Sequence, residues 1–234
     1  MFTDLENALK EQAQEKLAYF QQWMFAKPIL FSNAKYQETN NLHSVFYKLV
    51  NYFVSHYQSY QHLMPLDERV LKILSLWESR AYEVGSFRTD FVFDENEQFR
   101  PIEITCRFAL NGFFINKVFE LHANETKGNV DSSDLHNPYE QFIPHFLNKL
   151  RDKQKILLLK DSEDRNESKF FLPVFAQAGI PIEVRTVSEL NQNHSDLDEF
   201  FIVNEFNFDE LMQLKTSTHE SLALSDCLND LRTV

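Results

Sequence analysis

Five polar residues alternate along one short stretch of the chain: Arg88, Asp90, Glu103, Thr105 and Arg107. In FRTDFVF (87–93) and FRPIEIT (99–105) the polar positions fall every second residue, between Phe87, Phe91, Phe93, Ile102 and Ile104. That period of two describes two strands, joined by the polar turn Asp94-Glu95-Asn96-Glu97. If both apolar sets meet one core, a four-residue loop is required, and the register pairs Arg88 with Glu103 and Phe87 with Ile104. The other face then gathers the five polar residues. Arginine supplies a planar fork for a carboxylate or phosphate. A glutamate beside a hydroxyl offers the hard oxygens that Mg²⁺ takes, with water and phosphates completing its shell. The same pattern also describes a cross-strand Arg88–Glu103 ion pair on a solvated sheet face.

Other chemistries find little support. The four glycines, Gly85, Gly112, Gly128 and Gly179, are scattered, so neither a P-loop nor a GxGxxG turn can be built. The eight histidines show no HExxH or HxxxH spacing. There is no GxSxG elbow, and Cys106 falls on the apolar hairpin face, the place of an inert buried thiol. No catalytic residue is assigned.

The flanking elements must position this hairpin. Residues 1–80 read as helical. Leu5–Phe25 is amphipathic through Leu5, Leu9, Leu17, Phe20 and Met24, and Pro28 follows it. Leu42–Tyr60 is a second helix, and Asp67 caps a third through Val70, Ile73, Leu74 and Trp77. Helices return at Gly112–Asn124 and Pro138–Leu150. Ile156–Leu159, Ile182–Arg185 and Phe200–Val203 then read as short buried strands. A helix at Ser168–Ala178, closed by Gly179, lies between the first two, and another follows near Asp209–Leu214. Alternation of this kind implies a parallel sheet. The expected class is therefore α/β, with a helical N-terminal part and a hairpin-bearing middle over residues 1–153. A Rossmann-like parallel α/β unit follows over 154–234.

The chain has 234 residues and a formal net charge of −12, with 43% hydrophobic and 25% charged residues. It is globular in composition, and its acidity disfavours nucleic acid and anionic membranes as partners. No apolar run approaches the roughly 18 residues that span a bilayer, and no secretory signal is visible. Two cysteines make no disulfide scaffold, so a reduced, cytoplasmic protein is expected.

Residues 84–114, VGSFRTDFVFDENEQFRPIEITCRFALNGFF, resemble the signature region of eukaryotic-type glutathione synthetases. That region joins an Arg-x-Asp strand to a Glu-x-Asn strand and a glycine-containing turn. Residues 156–190 resemble the substrate domain of the same ligases, and LNDLRTV resembles the linker that precedes their ATP-grasp portion. The resemblance implies the substrate-binding, pre-ATP-grasp part of an ATP-dependent carboxylate–amine ligase. Arg88 would contact the substrate, Glu103 would bind magnesium, and Thr105 stands where the family has a magnesium-binding asparagine. Asn111, in the turn, and Asp164, Asn166 and Ser168, in a later loop, fall on substrate-contacting segments, with Arg107 beside them on the hairpin.

The resemblance implies ATP and Mg²⁺ as cofactors of a full-length ligase. Neither is expected to bind tightly to this chain, which reads as the front part of a longer enzyme or a relative without the rest. The expected ligand is a small acidic or peptide-like substrate, and a homodimer is allowed. The alternative is a non-catalytic module that binds an acidic small molecule or peptide.

Overall fold

A computed structural model describes residues 2–24, 32–64, 66–106, 111–126, 139–150, 153, 155–161 and 168–233. In chain order the elements begin with α1 (Phe2–Gln21), α2 (Asn33–Ser55), α3 (Tyr57–Tyr60), α4 (Glu68–Leu76), β1 (Arg88–Phe93) and β2 (Phe99–Thr105). They continue with α5 (Asn111–Thr126), α6 (Tyr139–Leu150), β3 (Ile156–Leu159), α7 (Ser168–Gln177) and β4 (Ile182–Arg185). The last are α8 (Val187–Gln192), β5 (Phe201–Asn204), α9 (Phe208–Leu211) and α10 (Thr216–Ala223). The fold mixes helix and sheet, with helix predominant and, among the described residues, a two-stranded and a three-stranded sheet.

The chain divides into two compact units. The first comprises Met1–Leu30, Leu110–Leu157 and Ser162–Glu183. Its α1 buries Leu5, Leu9, Ala13 and Leu17, a stripe at four-residue spacing that faces α5 and α7. Phe20 meets Phe114 at 6.2 Å between ring centroids, and Phe146 of α6 meets Phe175 of α7 at 5.6 Å. These aromatic pairs make the first unit's core.

The second unit comprises Phe31–Ala109, Leu158–Asp161 and Val184–Val234. Its α2 starts nine residues before the expected Leu42, because the Ser32 side chain accepts from the Lys35 backbone N–H and caps it. Asp67 caps α4 by accepting from the Val70 N–H at 2.8 Å, as its position predicts. The α8 and α9 starts carry reciprocal capping boxes, Thr186 with Glu189 and Asn207 with Glu210. Gly179 closes α7 at φ +71°, a conformation that L side chains rarely adopt.

The larger sheet has the order β4-β3-β5. The Ile156 N–H donates to Pro181 and the Lys160 N–H to Arg185, so β3 and β4 advance together and are parallel. The Glu205 N–H donates to Leu159, which brings the carboxyl ends of β5 and β3 side by side and makes that pair parallel too. All four residues of β3 and of β5 are buried. The parallel sheet expected from β/α alternation is therefore present, at three strands. Just past two of those strand ends, Lys160 Nζ lies 3.3 Å from a Glu205 carboxylate whose side chain is fully buried.

The hairpin departs from its expected register. The pairs are Arg88 with Thr105, Thr89 with Ile104 and Asp90 with Glu103; beyond a bulge, Phe91 faces Pro101 and Phe93 faces Phe99. The Asp94 N–H donates to Gln98, leaving a three-residue tip with Glu97 at φ 59° rather than the four-residue loop. An odd-length tip would flip one strand's faces. The bulge at Ile102 flips them back. Ile102 is the inserted residue and is 63% exposed, which corrects the expectation that it packs in the core; Phe91 and Ile104 are half-buried. The apolar side meets α2: Phe46 faces Phe91 at 6.0 Å, His43 stacks on Phe87 at 4.7 Å, and Lys35 Nζ lies 5.2 Å from the Phe99 ring centre.

Candidate functional site

The polar side of the hairpin gathers four of the five polar residues singled out in the sequence, Arg88, Asp90, Glu103 and Thr105, though not in the expected pairs. Arg88 turns along its own strand and grips Asp90 through two hydrogen bonds, 2.7 and 3.1 Å, instead of crossing to Glu103. The Arg88 bonds hold the Asp90 carboxyl below its ordinary range. Both side chains are well exposed, so the pair contributes at most about 1 kcal/mol. Thr105 Oγ1 donates to Glu103 at 2.8 Å. Among the described residues, no group of three or more His, Cys, Asp and Glu side chains could hold a metal ion. Asn111 and Ser168 are the first residues of α5 and α7. Arg107, Asp164 and Asn166 lie outside the described residues.

A concavity lies elsewhere in the second unit. A cavity of about 510 Å³ is bounded by Leu49, Val50, Phe53 and Val54 of α2, Tyr57 of α3, and Val70 and Leu74 of α4. Met64 and Leu66 close it between the helices, Ile104 and Cys106 at the end of β2, and Phe208 and Arg232 from the C-terminal segment. The arrangement follows from local sequence. Residues 46, 50 and 54 put one face of α2 inward, and Leu49, the next position round, forms a half-exposed rim at 52%. The Asp67 cap sets where α4 begins and so where Val70 and Leu74 point.

The few polar groups of this wall are already partnered. Arg232 holds Asp230 through Nε at 2.9 Å and Nη2 at 2.6 Å, and its guanidinium lies 5.3 Å from the Tyr82 ring centre. The Tyr57 hydroxyl donates to Glu78 at 2.7 Å; burial, then that carboxylate, raises its pKa. Burial also pushes the Cys106 thiol up, so it is a packing group rather than a nucleophile. Burial pushes the Cys227 thiol up to about 12. What remains is an apolar chamber without a free charge.

A smaller space of about 60 Å³ adjoins it and shares Val70, Leu74, Phe208 and Arg232 as walls. Its distinctive member is His219 of α10, only 2% exposed. No pattern in the sequence marks these sites, because their walls come from positions 49 to 232 with no common spacing.

A family model described as the AnkG N-terminal domain matches residues 39–234. The chain belongs to that family. The match takes in the hairpin and every residue that bounds the cavity. Comparison with the curated proteins finds no match. Membership of the AnkG N-terminal domain family overturns the glutathione synthetase-like reading, and the ligase function and pre-ATP-grasp assignment fall with it. The roles given to Arg88, Arg107, Asn111, Asp164, Asn166 and Ser168 toward a ligase substrate, and to Glu103 and Thr105 toward magnesium, lose the resemblance they were drawn from. So do ATP and Mg²⁺ as cofactors. Arg-x-Asp and Glu-x-Thr at two-residue spacing are ordinary features of an exposed hairpin face, which is why they fitted the ligase pattern.

Proposed function

We propose that this AnkG N-terminal domain is a binding domain, and that the cavity of its second unit takes a small apolar molecule. One observation carries the reading: about 510 Å³ of space is lined by aliphatic and aromatic side chains, and its one arginine is neutralised by Asp230. That volume lies within the roughly 300–1,000 Å³ of ordinary small-molecule sites. Filling it removes apolar surface from water at about 25 cal/mol per Å² and breaks no ion pair. An acidic ligand gains little from Arg232, whose charge Asp230 already meets. The parallel order β4-β3-β5 accords with a small Rossmann-like sheet. The free thiols Cys106 and Cys227 accord with a reducing, cytoplasmic setting.

The test is fluorescence of Nile red, a neutral apolar dye, with the full chain and with Val70→Trp, which places a bulky ring in the cavity. Saturable enhancement that Val70→Trp abolishes supports the reading. Enhancement that is absent, or that survives in a folded Val70→Trp chain, rejects it.

A further inference from the structure

The small space beside the main cavity is lined by His219, a side chain whose hydrogen bonding is incomplete. His219 Nε2 lies 3.0 Å from the Leu211 carbonyl oxygen. A carbonyl only accepts, so Nε2 carries the proton and Nδ1 presents a lone pair. Nδ1 is buried and has no hydrogen-bond partner. Burial lowers the His219 pKa, and no carboxylate is among its perturbing groups, so the ring stays neutral and Nδ1 stays an acceptor. Around it stand Val70, Ile73, Leu74, Leu211 and Leu231, which have no side-chain donor, together with Trp77 and Arg232, whose N–H groups make no bond to Nδ1; the guanidinium is engaged by Asp230 and the Arg80 carbonyl. An acceptor left unmade in such surroundings carries a desolvation cost that a donor would remove. The space of about 60 Å³ is twice the volume of one water in the liquid, enough for a hydroxyl and the carbon that bears it.

We propose that the two adjoining spaces form one site for an uncharged aliphatic molecule ending in a hydrogen-bond donor, an alcohol in the simplest case. Its chain lies in the larger cavity and its hydroxyl donates to His219 Nδ1. The inference rests on the binding function proposed above and adds to it the polar end of the ligand. The apolar body provides affinity. The single acceptor selects a donor-terminated ligand over an ether or a carboxylate, because a carboxylate has no proton to give at neutral pH and would lose its hydration.

Displacement of Nile red by two isomers, 1-octanol and 1-methoxyheptane, tests this. They have the same atoms and differ in whether the oxygen carries a proton. The alcohol is expected to displace the dye about three- to tenfold more tightly, the worth of one neutral hydrogen bond. His219→Phe is expected to erase the difference while retaining dye binding. A second readout needs no substitution: in ¹⁵N-histidine-labelled protein the His219 Nδ1 resonance shifts with the alcohol and not with the ether. Equal affinity for both isomers, or a preference that survives His219→Phe, overturns the proposal. An Nδ1 resonance unmoved by saturating alcohol leaves His219 with an ordered water only and also overturns it. These failures leave dye binding intact; loss of dye binding in the wild type removes the binding function as well.

Discussion

Arg232 meets Asp230 through two hydrogen bonds, 2.9 and 2.6 Å, with both side chains less than a tenth exposed. The one cation in the cavity wall therefore has its counterion two residues away in the sequence. The same guanidinium donates to the Arg80 carbonyl at 3.2 Å, which ties the C-terminal turn to the segment after α4. Asp230→Asn leaves the guanidinium buried without a counter-charge. It is expected to cost about 3–5 kcal/mol of unfolding free energy in urea titration, the range for breaking a buried pair from one side. A loss under about 1 kcal/mol means that the pair is solvated and that the cavity wall carries a usable charge.

Gly85 and Asn229 make a second tie. A Cβ on Gly85 would stand 2.2 Å from Asn229 Oδ1 and 2.5 Å from the Leu228 carbonyl oxygen, closer than atoms can approach. That approach lets the Asn229 carboxamide accept from the Ser86 N–H at 2.7 Å and donate to the Ser86 and Cys106 carbonyls. One side chain thus joins the entry to β1 and the exit from β2. Gly85→Ala is expected to destabilise by about 1–3 kcal/mol, the usual cost of overpacking, and to lower the melting temperature accordingly.

The bulge makes a prediction about the hairpin. Ile102 is inserted and exposed, so Ile102→Ala is expected to change stability by no more than about 0.5 kcal/mol. Asp94 behaves differently, since its carboxylate accepts from the Asn96 and Gln98 N–H groups and from Arg100. Those bonds, the Gln98 one foremost, hold its carboxyl below the ordinary range. Asp94→Ala is therefore expected to destabilise the hairpin and to loosen amide-exchange protection across β1 and β2, read by hydrogen exchange.

His219 gives the fold a pH dependence of definite sign. Its folded pKa is lowered, burial being the largest cause, against an ordinary value of 6.5. As pH falls below about 6.5 the unfolded chain takes up a proton that the folded chain refuses. Unfolding free energy therefore falls as pH falls from about 6.5 toward the folded-state pKa, and is unaffected by this group above 7.5. Urea titrations of wild type and His219→Phe between pH 7.5 and 5.5 are expected to show a shallower slope in the variant. Parallel slopes contradict the neutral, buried imidazole.

Local signals carried the elements well. The stripe of Leu5, Leu9 and Leu17, the Asp67 cap, Gly179 after α7 and the apolar run of β3 each state a local preference that packing endorses. The hairpin shows where such signals stop. Period-two alternation located both strands but put Ile102 on the core face, because the register depended on the odd tip at Glu97 and the compensating bulge at Ile102, and two such shifts cancel in the pattern. Short late helices such as α10 lack enough periodicity to stand out. The cavity was illegible, because it is a property of helices, strand end and C-terminal turn brought together. The ligase resemblance rested on Arg88, Asp90 and Glu103, residues that any exposed strand pair can carry.

Methyl-resolved NMR of the full chain, titrated with 1-octanol, tests the central claim most directly. Valine and leucine methyls of the cavity wall, at Leu49, Val50, Val54, Val70 and Leu74, are expected to shift together along one saturable curve. Those of Leu9, Leu157 and Val174, buried elsewhere, are expected to stay in place. Shifts spread evenly over both sets, or none at saturating alcohol, contradict an apolar binding site at this cavity.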